Sequence, residues 1–251
     1  MTPAAGEEEG GARQALAFII KAGSVPLFSG KASLWVEALR DGDPLDSARL
    51  LEFSARFSRQ DSIGKAVFMP LLDYRAIFER VGNSRMASIL DSARSENLCA
   101  ALLFLEDAGP PRGPETLGNP PDPITEQMSL GHKKTAVRGL RSPLLERLLK
   151  DPDERVVREA LRNPRLRESE VVAIASRRPC PEEVFYLLAA SPGWIARPAV
   201  ERAVLFNPYA PVRLATLLLV CQPSQVLLEV INDNGLHPSV RDGAREILAW
   251  T

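Results

Sequence analysis

The stretch "DPDERVVREALRNP", residues 151–164, decides how this chain is interpreted. Prolines stand near both of its ends, and the residues between them follow a helical spacing. The apolar face of this spacing holds Val156, Val157, Ala160 and Leu161, and the opposite face holds Arg155, Arg158 and Arg162. Because proline is excluded from a helix interior and restricts the residue before it, prolines mark where helices start and stop. The stretch therefore predicts one short amphipathic helix with fixed ends.

The same pattern returns further along the chain. "VREALRNP" (157–164) aligns with "ERAVLFNP" (201–208), so that Asn163-Pro164 matches Asn207-Pro208 at an offset of 44 positions. The offset persists downstream, where Pro179 matches Pro223, and "HPSVRDGAREIL" (237–248) has the start of a further copy. A period of this length, built from short helices, is typical of an α-solenoid, in which stacked copies bury a core that one copy cannot bury alone.

These residues carry a resemblance to known families. "DPDERVVREALRNP" resembles the Asp-Pro, Val-Arg and Ala-Leu signature of HEAT-like repeats, and Asn207-Pro208, Pro211 and Leu214 are similar to the leucine-rich repeat variant, a bacterial α-solenoid. The resemblance covers roughly residues 130–250 and implies a right-handed helical-repeat solenoid. The leucine-rich repeat variant can be accompanied by an iron-sulfur cluster held by clustered cysteines. This chain has no such cluster of cysteines in its sequence, so no cofactor is expected.

The rest of the chain divides by composition into further segments. Residues 1–11 are acidic and glycine-rich and are predicted to be a disordered tail. Residues 12–107 form a helical N-terminal region, with one helix ending at Gly23 and another starting after Pro44 with Asp46 as its N-cap. Residues 108–124 hold six prolines and three glycines and are predicted to be a linker or surface loop. Residues 125–251 are assigned to HEAT-like or leucine-rich-repeat-variant-like repeats, which makes the whole chain all-α.

The overall composition limits the cellular setting. The net charge is -1, so no global field favours nucleic acid or an anionic membrane. The longest apolar run, Leu98 to Leu105, is far shorter than the roughly 20 residues that span a bilayer, and the acidic N-terminus does not resemble a secretion signal. The three cysteines lie far apart in sequence, which favours buried thiols in a reducing compartment over disulfides. We therefore expect a cytoplasmic protein without a membrane anchor.

Residues that could carry catalysis are scarce. His132 and His237 have no cysteine, histidine or carboxylate at metal-ligand spacing on the same helix face. "GSVPLFSGKAS" contains Gly30-Lys31, but Ala32 stands where a phosphate-binding loop needs Ser or Thr. Cys180 lies between two prolines near a helix start, yet no histidine is nearby in sequence to activate it. The sequence therefore predicts a protein that is not an enzyme and holds no metal.

One feature stands out, a local excess of positive charge. Residues 133–178 contain 13 Lys and Arg against 7 Asp and Glu, in a chain whose net charge is -1. The candidate partner-binding residues are Lys133, Lys134, Arg155, Arg162 and Arg165. Arg158 is the weakest of the nearby arginines, because it matches the Val-Arg of the repeat, whose arginine in HEAT-like families bonds acidic groups of adjacent repeats.

Two interpretations of this basic region remain open. It can be a solvated face whose arginines pair locally, Arg158 with Glu154 and Arg155 with Glu159 at i,i+4 spacing. It can instead be a surface that binds an acidic protein or phosphates. The first predicts that a partner's affinity does not depend on these charges, whereas the second predicts that reversing Arg155 and Arg162 to Glu weakens the complex.

The function predicted from these features is a non-catalytic protein-interaction scaffold or regulatory adaptor, since solenoids offer extended surfaces to macromolecular partners. The alternative is a HEAT-like nucleic-acid binder. One HEAT-like class excises alkylated bases from DNA with aromatics and a carboxylate in a basic concave groove, which would place Trp194 in such a groove. Otherwise Trp194 caps the core between repeats. A third class is an accessory subunit of an enzyme.

Overall fold

The structure is a computed structural model that describes residues 5–106, 109, 122–139, 143–151 and 153–250, with only the backbone of 5–10 and 143. All regular elements of these residues are helices, which confirms the all-α prediction. The predicted linker at 108–124 lies mostly outside the described residues.

The described helices are numbered in chain order. The first seven are α1 Ala5–Gly23, α2 Phe28–Asp41, α3 Pro44–Ser58, α4 Ser62–Phe68, α5 Tyr74–Val81, α6 Asn83–Ser95 and α7 Cys99–Leu105, with a 3-10 helix Met69–Leu72 between α4 and α5. The next eight are α8 Pro123–Glu126, α9 Leu130–Arg138, α10 Pro143–Leu148, α11 Glu154–Leu161, α12 Glu168–Ala175, α13 Glu182–Ala189, α14 Pro192–Ile195 and α15 Pro198–Leu205. The last three are α16 Val212–Val220, α17 Ser224–Asn232 and α18 Pro238–Leu248.

The chain forms two compact units. The first consists of Met1–Gly109, Val212–Asn234 and Pro238–Thr251, and the second consists of Pro110–Pro211 and Gly235–His237. The sequence pattern instead predicts that 125–251 forms one run of repeats. The structure differs because α16, α17 and α18 belong to the unit that contains the N-terminal helices.

The physical reason lies in α16. Apart from Arg213, every residue of this helix is buried, and a helix that is apolar on all sides has to be enclosed. It packs against α3, α7 and the 3-10 helix. The Arg213 guanidinium lies over the rings of Tyr74 and Phe78 and donates to the carbonyl oxygens of Leu105 and Glu106 at the end of α7. These contacts attach the end of the chain to its N-terminal region.

Two local features of the first unit differ from the sequence prediction. Helix α1 begins at Ala5, within the segment 1–11 that was predicted to be disordered. Alanine and glutamate are good helix formers, and acidic residues near a helix N-terminus are favoured by its dipole, so glycine content alone was misleading there. At α3 the N-cap is Asp43, whose carboxylate accepts from the Leu45 N–H, and not Asp46. Pro44 occupies the first helical turn, where its missing N–H costs nothing.

The second unit contains one contact that occurs twice. The Asn163 amide nitrogen donates to the Val137 and Gly139 carbonyls, 2.7 and 3.3 Å away, and its Oδ1 accepts from the Arg165 N–H. The Asn207 amide nitrogen donates to the Ala175 and Arg177 carbonyls, 2.7 and 2.8 Å away, and its Oδ1 accepts from the Tyr209 N–H. We call this arrangement the asparagine clamp. It joins the loop after α11 to the end of α9, and the loop after α15 to the end of α12.

Candidate functional site

Helix α11 has the two faces that its sequence predicts. Val156, Val157 and Ala160 are fully buried and Leu161 nearly so, whereas Arg155, Arg158 and Arg162 are exposed. The Asp153 carboxylate caps the helix by accepting from the Arg155 N–H at 2.9 Å. Helix α9 packs against α11 and α10. The arginines therefore reach solvent because the apolar residues between them are held in the core of this unit.

The ion pairs on α11 agree only in part with the sequence prediction. Arg158 approaches Glu154 at 3.7 Å, as the i,i+4 spacing predicts. The predicted pair between Arg155 and Glu159 is wrong, because the Arg155 guanidinium makes two bonds to Asp153, at 3.0 and 2.8 Å. The contact of Arg155 with Asp153 is bidentate, with two N–H donors on one carboxylate. Such a contact is stronger than a single bond to Glu159 one helical turn away.

Glu159 instead joins two helices. It accepts from the Arg138 Nε at 2.7 Å, at the end of α9, and lies 3.6 Å from the Arg162 guanidinium. The hydrogen bond from Arg138 holds the pKa of the Glu159 carboxyl below its ordinary value. Arg138, which was not among the predicted partner-binding residues, is therefore neutralised within the fold.

Lys133 has a structural role in this arrangement. Its side chain is 15% exposed, and its ammonium lies 2.8 Å from the Asp151 Oδ2, in a carboxylate that is 1% exposed. The other oxygen of Asp151 accepts from the Asp153 N–H, and the Asp151 carbonyl accepts from Arg177. Lys133 is thus required to balance a buried carboxylate, and its charge is not presented to a partner.

The remaining candidates gather at the loop between α11 and α12. We call residues 162–167 the basic loop; Arg162, Arg165 and Arg167 are all exposed in it, Arg162 with 70% of its side chain. Within the part of the chain that the structure describes, no carboxylate forms an ion pair with Arg165 or Arg167. Lys134, on α9, is half-buried and lies close enough to Glu159 to lower the pKa of that carboxyl further.

The structure therefore divides the five predicted residues. Arg162 and Arg165 come together in the basic loop, Lys134 lies on a neighbouring helix, and Arg155 and Lys133 are engaged by Asp153 and Asp151. Arg167 belongs to the basic region 133–178 but was not among the five predicted partner-binding residues. Its position immediately before the acidic start of α12, "ESE", was the available signal, because a helix N-cap lies at the surface.

Trp194 lies against the end of α11. Its indole N–H donates to the Leu161 carbonyl at 2.8 Å, and the Arg197 guanidinium lies 4.3 Å from the centre of its ring. The indole therefore satisfies one of the carbonyls that a helix leaves open at its C-terminus. This agrees with the interpretation of Trp194 as a residue that closes the core between helices.

Cys180 and Cys99 lie in environments that do not activate a thiol as a nucleophile. Burial raises the pKa of the Cys180 thiol to about 11, and this thiol is 3% exposed. Cys99 and Cys221 are half-exposed, so the expectation of three buried thiols holds only for Cys180. A hydrogen bond with Glu246 raises the pKa of Cys99 as well. These environments stabilise the protonated thiol, which is the unreactive form.

The described residues show neither a metal-binding cluster nor a membrane-spanning helix. They contain no group of three or more His, Cys, Asp and Glu side chains arranged to hold a metal ion. Among the helices that can be described, none combines the length and the apolar character needed to cross a bilayer.

Comparison with known proteins gave no match. No model of a protein family, no curated protein and no solved structure matches this chain.

Proposed function

We propose that this chain is a non-catalytic adaptor, an α-solenoid of HEAT-like or leucine-rich-repeat-variant-like helical repeats that holds another protein. In this proposal the basic loop binds an acidic segment of that partner. The recurrence of the asparagine clamp at Asn163 and Asn207 supports a repeated architecture in the second unit. Stacked helical repeats use their loops and exposed helix faces to bind macromolecules.

The observation that carries the proposal is the unbalanced charge of the basic loop. Among the described residues of the second unit, the exposed arginines Arg138, Arg147 and Arg155 are engaged by carboxylates at 2.7–2.8 Å. Arg162 has only a contact of 3.6 Å to Glu159, and Arg165 and Arg167 have no ion pair among the described residues. Guanidinium groups bind carboxylates through paired N–H donors, so an acidic peptide segment matches this surface.

The proposal is tested by reversing charges on the full chain. We expect Arg162→Glu/Arg165→Glu to abolish capture of a partner protein that the wild type retains, since both attractive contacts become repulsive. The matched control is Arg40→Glu/Arg245→Glu, which makes the same change of charge at exposed arginines of the first unit. Competition by a soluble glutamate-rich peptide must release the captured partner from the wild type.

Two results would contradict the proposal. The first is equal capture by the wild type, the Arg162→Glu/Arg165→Glu variant and the control. That result would mean that the basic loop is a solvated surface that does not bind the partner. The second is tight binding of a duplex or single-stranded oligonucleotide at physiological salt, with an affinity that falls steeply as salt increases, since release of counterions from phosphates produces that dependence. That result would favour the nucleic-acid binder.

A further inference from the structure

Arg197 is held from three sides although 43% of its side chain is exposed. Its Nε donates to the Gly193 carbonyl at 3.0 Å, and its Nη1 donates to the Glu168 carboxylate at 3.2 Å. Its guanidinium also lies over the ring of Trp194, with 4.3 Å between Cζ and the ring centre. An exposed arginine normally samples many rotamers, and these contacts restrict Arg197 to one orientation.

The same contacts place Arg197 beside the basic loop. Trp194 is bonded to the carbonyl of Leu161, the residue directly before Arg162. Glu168, which accepts from Arg197, is the residue directly after Arg167. Arg197 therefore lies next to residues at both ends of the basic loop, although about thirty positions separate it from Glu168 in sequence.

We propose that Arg197 is the anchoring cation of the acidic-segment site and that Trp194 is the residue that positions it; this inference rests on the proposed function. A guanidinium carries more N–H donors than the two bonds to Gly193 and Glu168 use, so donors remain for a partner's carboxylate. Because its orientation is already fixed, Arg197 loses little conformational entropy on binding. Arg165 and Arg167 add charge around it but have to be ordered by the partner.

The surroundings favour a short protein segment over a nucleic acid. Glu159 and Glu168 lie among the arginines, so a continuous row of phosphates would meet two carboxylates as well as four cations. One face of the Trp194 ring is covered by Arg197, so that face is not open for a base to stack on. A peptide with a few separated carboxylates can avoid both obstacles.

The experiment measures binding of a fluorescein-labelled peptide of alternating Glu and Ala to the full chain by fluorescence anisotropy. We expect Arg197→Lys to raise the dissociation constant by about fivefold or more, because lysine keeps the charge but loses the planar fork and the stacking. The matched control is Arg202→Lys, which removes another stacked arginine of the same unit, the one over Phe206. This control is expected to change the dissociation constant by less than about twofold.

The positioning role of Trp194 has a separate readout. Trp194→Phe retains an aromatic face for Arg197 and loses only the bond to Leu161, whereas Trp194→Ala loses both contacts. We expect Trp194→Phe to bind the peptide more tightly than Trp194→Ala, with the helical circular dichroism of both variants unchanged. Equal loss in the two variants would contradict positioning through the ring.

The outcomes separate the two proposals. Normal peptide binding by Arg197→Lys, together with loss in Arg162→Glu/Arg165→Glu, would overturn the anchoring role of Arg197 and leave the proposed function in place. Failure of the wild type to bind the glutamate peptide would overturn both. Binding that depends on Arg197 and on the basic loop, and that a single-stranded oligonucleotide does not displace, supports both.

Discussion

The loop after α11 and the loop after α15 are anchored by the same side chain in the same way. In each, an asparagine amide donates to two carbonyls at the end of an earlier helix and accepts from the N–H two residues ahead. The outer surfaces of the two loops differ. Arg165 and Arg167 are exposed in the basic loop, whereas Tyr209 and Ala210 are 5% and 4% exposed in the second loop, residues 206–211, which we call the apolar loop.

This difference distinguishes the residue that the clamp requires from the position whose side chain can vary. The clamp satisfies the backbone carbonyls of the buried residues Val137 and Ala175, so its asparagine is determined by the fold. The residue two positions later contributes only its N–H to the clamp, and its side chain is not determined by it. That position holds an exposed arginine in one loop and a buried tyrosine in the other, so only the first loop presents a charged side chain to solvent there.

The largest expected effect comes from truncating that variable position in each loop. Tyr209→Ala is expected to lower the free energy of unfolding by about 3 kcal/mol, because it removes a large buried side chain. Arg165→Ala is expected to change it by less than about 0.5 kcal/mol, since this side chain is exposed. Urea denaturation of the full chain, followed by circular dichroism, measures both. Similar losses for the two variants would remove the distinction between the loops.

A second prediction separates the cations around the basic loop. Lys133→Met is expected to cost about 3 kcal/mol, because it leaves the Asp151 carboxylate buried without its cation. Arg155→Met is the matched control: its guanidinium is exposed, and Asp153 stays solvated, so the unfolding transition is expected to shift little.

If Lys133→Met unfolded at the same urea concentration as the wild type, the ion pair with Asp151 would not be structural. Lys133 would then again be a candidate partner-binding residue. A double variant Lys133→Met/Asp151→Leu checks the mechanism, since removing both charges is expected to recover most of the lost stability.

The two clamps themselves provide a smaller effect. Asn207→Ala is expected to cost about 2 kcal/mol, since it leaves two carbonyls and the buried Tyr209 N–H without this partner. Asn163→Ala is expected to lower the free energy of unfolding by about 1 kcal/mol. The bond of Asn163 to the Gly139 carbonyl is long, at 3.3 Å, and Arg165 is exposed, so water can replace the lost partner there. A larger loss for Asn163→Ala in thermal denaturation would show that burial does not set the strength of the clamp.

The sequence predicted those parts of the fold that depend on local pattern. The spacing of Val156, Val157, Ala160 and Leu161 identified the buried face of α11, and the prolines identified helix boundaries. The recurrence of Asn-Pro at an offset of 44 pointed to two equivalent positions, and in the structure both asparagines form the same clamp. The function of the clamp was not predicted, because its acceptor carbonyls are more than twenty residues away in sequence.

The parts that the sequence did not predict depend on tertiary contacts. Lys133 and Arg165 are both cations in a basic stretch, and only the buried Asp151 separates their roles. Arg197 has no distinguishing pattern of its own, and its orientation is fixed by Trp194 and Glu168. The place of α16 in the first unit likewise depends on its contacts with α3 and α7, which cannot be inferred from the spacing of similar residues along the sequence.

The smallest expected effect is a loss of stability at acid pH that involves Glu159 of α11. The matching position of α15 is Ala203, which carries no carboxylate. The Arg138 hydrogen bond lowers the folded-state pKa of Glu159. A carboxyl whose pKa is lowered by folding stabilises the protein fully above its ordinary pKa, and this contribution is lost as pH falls through the folded-state value. The melting temperature of the wild type is therefore expected to exceed that of Glu159→Gln at neutral pH, with a gap that closes below about pH 4.5.

The control is Glu154→Gln, which removes a carboxylate from the same helix but leaves the contact between α9 and α11 intact. Any change that the two variants share reflects the net charge of the helix, and only the excess in Glu159→Gln belongs to the bond with Arg138. High salt distinguishes them further, because the half-exposed pair of Glu154 and Arg158 is screened more than the partly buried oxygens of Glu159. A gap for Glu159→Gln that stays constant down to pH 3 would mean that the lost stability comes from packing and not from the ionised carboxylate.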